Sequence, residues 1–234
     1  MLSRSEGVIP VTVTIYGDSI LKGVLFENGG YVLDRSWERA LSERFHLSIE
    51  NRSRFGSTIE KALPRLRRES AEPASGEPVL LEFGGNDCDY DWAAIASDPQ
   101  GVHRCKTPPE RFAADYREAI GLLRAGGRRP VALTLPPIHS ERYLRFLCRR
   151  GLSRERILAW LGDVEAISRW QKTYSELVRQ LAREEQAELI DLRAAFPSGS
   201  AALERCLCDD GIHPSRAGQA LIYETLCRRA AALA

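Results

Sequence analysis

The sequence predicts an α/β fold, a parallel sheet covered by helices on both faces. Three observations carry this expectation. Short runs rich in β-branched and aliphatic residues, bounded by Gly or Pro, recur along the chain and have the length and composition of buried strands. Between them lie longer segments whose apolar residues return every three or four positions, the helical period. The two kinds of segment alternate, as expected of parallel strands joined by helices.

The first strand is expected at residues 11–16, a β-branched run closed by Gly17. A helix is expected at 36–45, a strand at 47–51 and a helix at 58–68. The Pro/Gly/Ser-rich stretch 73–78 reads as a surface loop leading into a strand at 79–83. Residues 109–123 read as a helix with Phe112, Tyr116, Ile120 and Leu123 on one face, followed by a strand at 131–135. The stretch 138–185 is longer than one crossover needs. It carries helical patterns at 143–150, 154–161 and 164–183, and is read as an elaboration of one domain spanning 1–234. A strand at 187–191 and a last helix starting near Pro214 and Ser215, with Ala217, Leu221 and Leu226 on its face, complete the pattern. No internal repeat, low-complexity tract or linker interrupts it.

Composition narrows the function classes. At 234 residues and 44% hydrophobic content the chain can bury a substantial core. Thirty-three Lys plus Arg against 32 Asp plus Glu leave a net charge of +1, which gives no electrostatic case for nucleic acid. The apolar run near the N-terminus is interrupted by Thr12 and Thr14 and lacks the features of an export signal. No segment approaches membrane-spanning length. A cytoplasmic protein is expected, with Cys88, Cys105, Cys148, Cys206, Cys208 and Cys227 as reduced thiols. The one-residue spacers in His103-x-Cys105 and Cys206-x-Cys208 do not match zinc-site spacing, so no metal is expected.

Functional groups of open parallel sheets gather at the carboxyl ends of strands, and Gly17-Asp18-Ser19 follows a predicted strand directly. Alone, such a motif is more often a turn or helix cap. Gly84-Gly85-Asn86-Asp87 also follows a strand and supplies a side-chain amide where glycines admit a ligand, or else forms a tight turn. In Asp210-Gly211-Ile212-His213-Pro214 a carboxylate three residues before an imidazole can bend back through Gly211 to meet it, as a base and its orienting group do. The same segment also reads as a loop entering the final helix. Serine, amide donor and Asp/His pair at loop positions of one chain are what acyl transfer requires.

In this order the motifs resemble the SGNH (GDSL) hydrolase family. The resemblance runs from Thr14 to about Leu221: Gly-Asp-Ser-Ile with Gly23 behind it, Asn51 to Thr58 containing Gly56, Gly-Gly-Asn-Asp, and Asp-Gly-Ile-His-Pro. It implies a flavodoxin-like three-layer α/β/α sandwich in which Ser19 attacks an ester, His213 takes its proton and Asp210 holds the imidazole. The backbone amides of Ser19 and Gly56 and the side-chain amide of Asn86 would form the oxyanion hole, matching the need for preorganised donors around a tetrahedral intermediate. The second block departs from the family pattern, with Ser53 where glycine is common and Phe55 where a small residue is common. The nucleophile elbow Gly-x-Ser-x-Gly of the other large esterase fold is absent from the sequence.

Other features read as structural. Asp87, Asp89 and Asp91 alternate as in a calcium loop, but Trp92 stands where Gly is needed and Asp98 where Glu is needed. Asp18, Phe55, Tyr90 and Trp92 are candidates for substrate contact, with aromatic packing as the alternative for the last two. The cluster Arg142, Arg145, Arg149, Arg150, Arg154 and Arg156 reads as a solvated helix face, and His46, His103 and His139 as ordinary surface or core histidines. The expectation is a carboxylester hydrolase, O-deacetylase or thioesterase acting on small-molecule or carbohydrate esters. It would need no cofactor, nucleic acid or membrane, and a homo-oligomer is left open. Bulky residues beside the donors suggest a narrow pocket and short acyl groups. The competing expectation is a non-catalytic binding module on the same fold, its arginine-rich elaboration serving as contact surface.

Overall fold

The computed structural model describes residues 10–231. Residues 1–9, part of the segment in which no export signal is read, lie outside it.

Five parallel strands form the central sheet: β1 (Thr12–Gly17), β4 (Ser48–Asn51), β5 (Pro78–Glu82), β6 (Arg129–Leu133) and β7 (Glu188–Ile190). Their spatial order is β4-β1-β5-β6-β7, the 2-1-3-4-5 order of flavodoxin-like sheets once the hairpin strands are set aside. All four pairings are parallel, in registers such as Thr12 with Ser48, Gly17 with Glu82, and Leu133 with Ile190. Strand order reverses beside β1, so a crevice opens at the carboxyl ends of β1 and β5.

The period of two along each strand divides the core into two layers. Val13, Ile15, Leu80, Val131 and Leu133 face one apolar cluster, which includes Trp37, Leu41, Ile222 and Leu226. These come from α1 (Ser36–Phe45) and α10 (Arg216–Ala230), joined by the short α8 (Leu192–Ala195) and α9 (Ser200–Cys206). Tyr16, Val79, Leu81 and Ala132 face the other cluster, with residues of α2 (Ile59–Ser70), α4 (Pro109–Ala125) and α7 (Ala166–Glu184). Phe112, Tyr116, Ile120 and Leu123 of α4 are all buried there, as their spacing predicts. The result is a three-layer α/β/α fold.

The segment between β6 and β7 contains α5 (Ser140–Arg149) and α6 (Arg154–Leu161) before α7. Tyr143, Leu144, Phe146, Leu147 and Ile157 form a third apolar cluster with Trp92 and Ile95 of α3 (Trp92–Ser97). Arg142 departs from the expected solvated face: its Nη1 donates to the carbonyls of Glu204 at 2.6 Å and Leu207 at 2.9 Å. His139 caps α5, its Nδ1 accepting from Arg142 N.

Three features differ from the sequence reading. Strands β2 (Val24–Glu27) and β3 (Gly30–Leu33) form an antiparallel hairpin beside the sheet. Its turn residues Asn28 and Gly29 have φ of 53° and 79°, the positive values that an Asn-Gly hairpin turn adopts. Helix α3 was also unexpected; Asp91 caps it by accepting from Ala94 N. In α10 the buried face runs through Gly218, Ile222 and Leu226, leaving Ala217 exposed. A Cβ at Gly218 would lie 2.2 Å from the Cys206 carbonyl, so the helix seats by its glycine. No described helix is long and apolar enough to cross a membrane.

Candidate active site

The turn after β1 places Asp18 and Ser19 at the sheet's reversal point. Asp18 Oδ1 accepts from Ile20 N at 2.8 Å, and Ser19 O accepts from Val24 N at 3.0 Å, which fixes the loop into the β2–β3 hairpin. From the other end of the chain, the segment 210–214 arrives between α9 and α10. Asp210 Oδ1 accepts from the backbone N–H groups of Ile212 and His213, both at 3.1 Å. Its Oδ2 lies 2.5 Å from His213 Nδ1. His213 Nε2 lies 2.9 Å from Ser19 Oγ. The three side chains are 0%, 4% and 6% exposed in the order Asp210, His213, Ser19, so the relay is shielded from water. Gly211 makes this bend possible: its φ is +75°, and a Cβ there would lie 2.6 Å from Tyr143 N and 2.7 Å from His139 O.

Ser19, Gly56 and Asn86, the residues expected to supply anion donors, line one cavity. Neither Ser19 N nor Gly56 N donates to a backbone acceptor among the described residues. Asn86, in the loop after β5, donates through Nδ2 to Asp18 Oδ2 at 2.8 Å. A primary amide carries two donor hydrogens, so one remains for a ligand.

Three carboxyl groups lie buried beneath this surface. Glu82, the last residue of β5, is 1% exposed, and neither of its carboxyl oxygens accepts a hydrogen bond. Burial, then the adjacent charge of Asp18, holds Glu82 well above the usual carboxylate range. Burial also raises Asp18, but Ile20 N, Glu82 and Asn86 all favour its ionised form. The proton of the pair therefore resides on Glu82. Asp87 is pushed up to about 7, mainly by burial, while its Oδ1 accepts from Ile59 N at 3.1 Å at the start of α2.

A pattern for the GDSL-like lipase/acylhydrolase family matches residues 15–221. The chain belongs to that family. It is an ester-hydrolysing enzyme. No individually curated relative matches the sequence. Among solved structures, a lipase/acylhydrolase from Enterococcus faecalis is similar at 19% identity and a TM-score of 0.62, with 93% of this chain and 94% of that one covered. An acetylxylan esterase from Geobacillus stearothermophilus is similar at 18% identity and a TM-score of 0.62, covering 94% and 93%. An enzyme from the metagenome of Lake Arreo, Spain, described as an alpha/beta hydrolase, shows 20% identity and a TM-score of 0.63, covering 96% of each chain. These likenesses bear on the fold.

Within this GDSL-like chain, Ser19, Gly56, Asn86 and His213 all line one cavity of about 740 Å³. The four residues expected to contact substrate also line it, but in unlike ways. Phe55 is 52% exposed at the mouth, nearly parallel to the His213 ring with centroids 6.1 Å apart. Tyr90 is half-buried in the wall, and Trp92 is buried. Asp18 is 2% exposed, and its carboxylate accepts from Ile20 N and Asn86. The aromatic residues thus lie along the walls of the cavity. Ser53 is buried with an unpartnered Oγ.

Sequence reasoning missed the cavity's far wall, where Trp160 of α6 packs on Tyr90 with centroids 4.9 Å apart and Trp170 of α7 lies 6.0 Å from it. It also missed Glu82, although the signal was present: a lone carboxylate inside the apolar run Val79-Leu80-Leu81-Glu82-Phe83.

Proposed function

We propose that this enzyme hydrolyses carboxylic esters through a covalent acyl-enzyme on Ser19. Ser19 Oγ attacks the carbonyl carbon while His213 Nε2 takes its proton, and Asp210 stabilises the imidazolium. The carbonyl oxygen becomes an anion held by the N–H groups of Ser19 and Gly56 and by the side-chain amide of Asn86. On collapse the bond to the alcohol oxygen breaks, and His213 gives that oxygen its proton. Water then attacks the acyl-enzyme as His213 removes a proton from it. The C–Oγ bond breaks, Ser19 recovers its proton from His213, and the acid leaves.

The observation that carries this reading is the continuous relay from Asp210 Oδ2 to His213 Nδ1 at 2.5 Å and from His213 Nε2 to Ser19 Oγ at 2.9 Å. Similar proteins described as a lipase/acylhydrolase and an acetylxylan esterase support small-molecule or carbohydrate esters as the substrate class.

A fluorophosphonate probe tests it. Covalent labelling at Ser19, lost together with p-nitrophenyl ester turnover in a folded Ser19→Ala protein, is the expected result. A folded wild-type protein that neither labels nor turns over esters would instead favour a binding module.

A further inference from the structure

The carboxyl groups that line the Ser19 cavity offer a ligand no free negative charge. Asp18 and Glu82 are buried, and Glu82 is neutral. Asp89 Oδ1 accepts from Trp92 Nε1 at 2.8 Å and from the Tyr143 hydroxyl at 2.9 Å, and Oδ2 lies 2.8 Å from Lys106 Nζ. Donors, by contrast, are left over. The Tyr31 hydroxyl, Trp160 Nε1 and the Arg150 guanidinium line the same cavity, and none of them makes a hydrogen bond or ion pair among the described residues. Groups that donate are complemented by one that only accepts, an ionised carboxylate.

Charge singles out Arg150. Of the lysines and arginines that line the cavity, Lys106 is paired with Asp89 at 2.8 Å and Arg169 with Asp163 at 2.6 Å. Arg150 has no carboxylate partner among the described residues. It is also the one member of the arginine cluster at 142–156 that lines the cavity. Arg142 and Arg154 pair with Glu204 and Glu141, and Arg156 donates to the carbonyls of Ala96 and Ser97. A net charge of +1 over the whole chain gives anions no general attraction, so any preference for them must arise locally.

The backbone and the rings hold Arg150 in place. It ends α5, its N–H donating to the carbonyls of Cys148 and Leu147. Its guanidinium carbon lies 5.4 Å from the Phe146 ring centroid, a cation–π contact. Phe146 packs on Phe26, Phe26 on Tyr31 and Tyr31 on His213, with centroids 5.3, 5.2 and 5.4 Å apart. A row of rings thus runs from the cation to the proposed base. Burial and the charge of Asp210 raise the pKa of the Tyr31 hydroxyl, while Arg150 opposes them, so its charge is felt at that hydroxyl.

Resting on the reading of Ser19 as nucleophile, we infer that Arg150, assisted by the Tyr31 hydroxyl, binds a carboxylate carried by the ester substrate. The carboxylate can sit on the acyl or on the alcohol part, and two matched pairs of esters distinguish these. p-Nitrophenyl hydrogen adipate against p-nitrophenyl adipamate places it on the acyl part; para-acetoxybenzoate against para-acetoxybenzamide places it on the alcohol. The expected result is a kcat/KM for the anion about tenfold or more above that for its amide in at least one pair, as a charge-assisted hydrogen bond gives. The pair that shows it identifies the part that carries the group. Arg150→Met should bring that ratio close to one, and Arg150→Lys should restore part of it. Each ratio comes from one preparation and is insensitive to the folded fraction. Wild-type ratios near one in both pairs, or a preference that survives Arg150→Met, overturn the inference and leave the ester-hydrolase reading standing. A wild-type protein that turns over none of the four esters removes both readings.

Discussion

Asn86 donates through Nδ2 to Asp18 Oδ2 at 2.8 Å, so the amide proposed to hold the oxyanion is steadied by the residue immediately before Ser19. Asp18 uses its two oxygens for two partners, Ile20 N on Oδ1 and Asn86 on Oδ2. An asparagine there has one oxygen and must give up one of them. Asn86→Ala is expected to lower kcat about a hundredfold with a smaller change in KM, because the donor acts chiefly in the transition state. Asp18→Asn should lower kcat about tenfold by loosening the same donor. Steady-state kinetics on folded protein checks both, and an unchanged kcat in Asp18→Asn would show that Asn86 needs no such support.

Glu82 gives a prediction about the dependence of activity on pH. It is neutral because burial and Asp18 disfavour its charge, so raising the pH through its elevated pKa ionises it against Asp18 and disturbs the support of Asn86. Wild-type activity is expected to fall as the pH rises through that pKa. Glu82→Gln has nearly the same shape and cannot ionise, so its pH–rate profile should lose that limb while kcat at neutral pH stays near wild type. Superimposable profiles for wild type and Glu82→Gln would show that Glu82 is not the group titrating.

Asp87 controls stability in a different window. Its folded pKa of about 7 exceeds its ordinary 3.8, so the native state binds the proton more tightly than the unfolded chain. The stabilisation from that tighter binding is complete below the unfolded value and is lost as pH rises through about 7. The full swing is at most on the order of 4 kcal/mol. Asp87→Asn can still accept from Ile59 N and should flatten this decline. Urea unfolding at pH 5 and pH 8 would show it, and equal pH slopes in the two proteins would refute the assignment.

Gly211→Ala should be costly for a backbone reason and a packing reason. Its φ is +75°, and the added methyl would meet Tyr143 N and His139 O at under 3 Å. Strain and overpacking together are expected to cost roughly 2–4 kcal/mol. Turnover should fall further than the folded fraction because Asp210 and His213 are displaced. Parallel unfolding and activity measurements separate the two effects.

The centre of the sheet was legible because β5 and β6 are buried on both faces and so read as apolar runs such as Val79-Leu80-Leu81. Their ends slipped by one or two residues: the run expected at 131–135 forms a strand at Arg129–Leu133, because pairing with β5 and not hydrophobicity sets where a strand stops. The β2–β3 hairpin was overlooked although Asn28-Gly29 is a strong local turn signal; β3 is exposed along its whole length and so lacks the alternating pattern by which half-buried strands are recognised. Ser19, Asp210 and His213 lie within short motifs and were visible as such. The cavity was not, because Tyr90, Trp160 and Trp170 are separated by long stretches of chain and meet only when α6 and α7 fold over the β5 loop.

The attachment of α5 to the 204–213 segment has a mechanical consequence. His139 N donates to Gly211 O at 2.8 Å, and Arg142 grips the carbonyls of Glu204 and Leu207. The helix that roofs the cavity is thereby riveted to the loop that carries His213. It cannot swing as a free flap without unseating the imidazole, so the roof and the base form one cooperative unit whose amides should exchange with deuterium at a common rate. An enzyme caught with its roof open is one that has also displaced the proposed base.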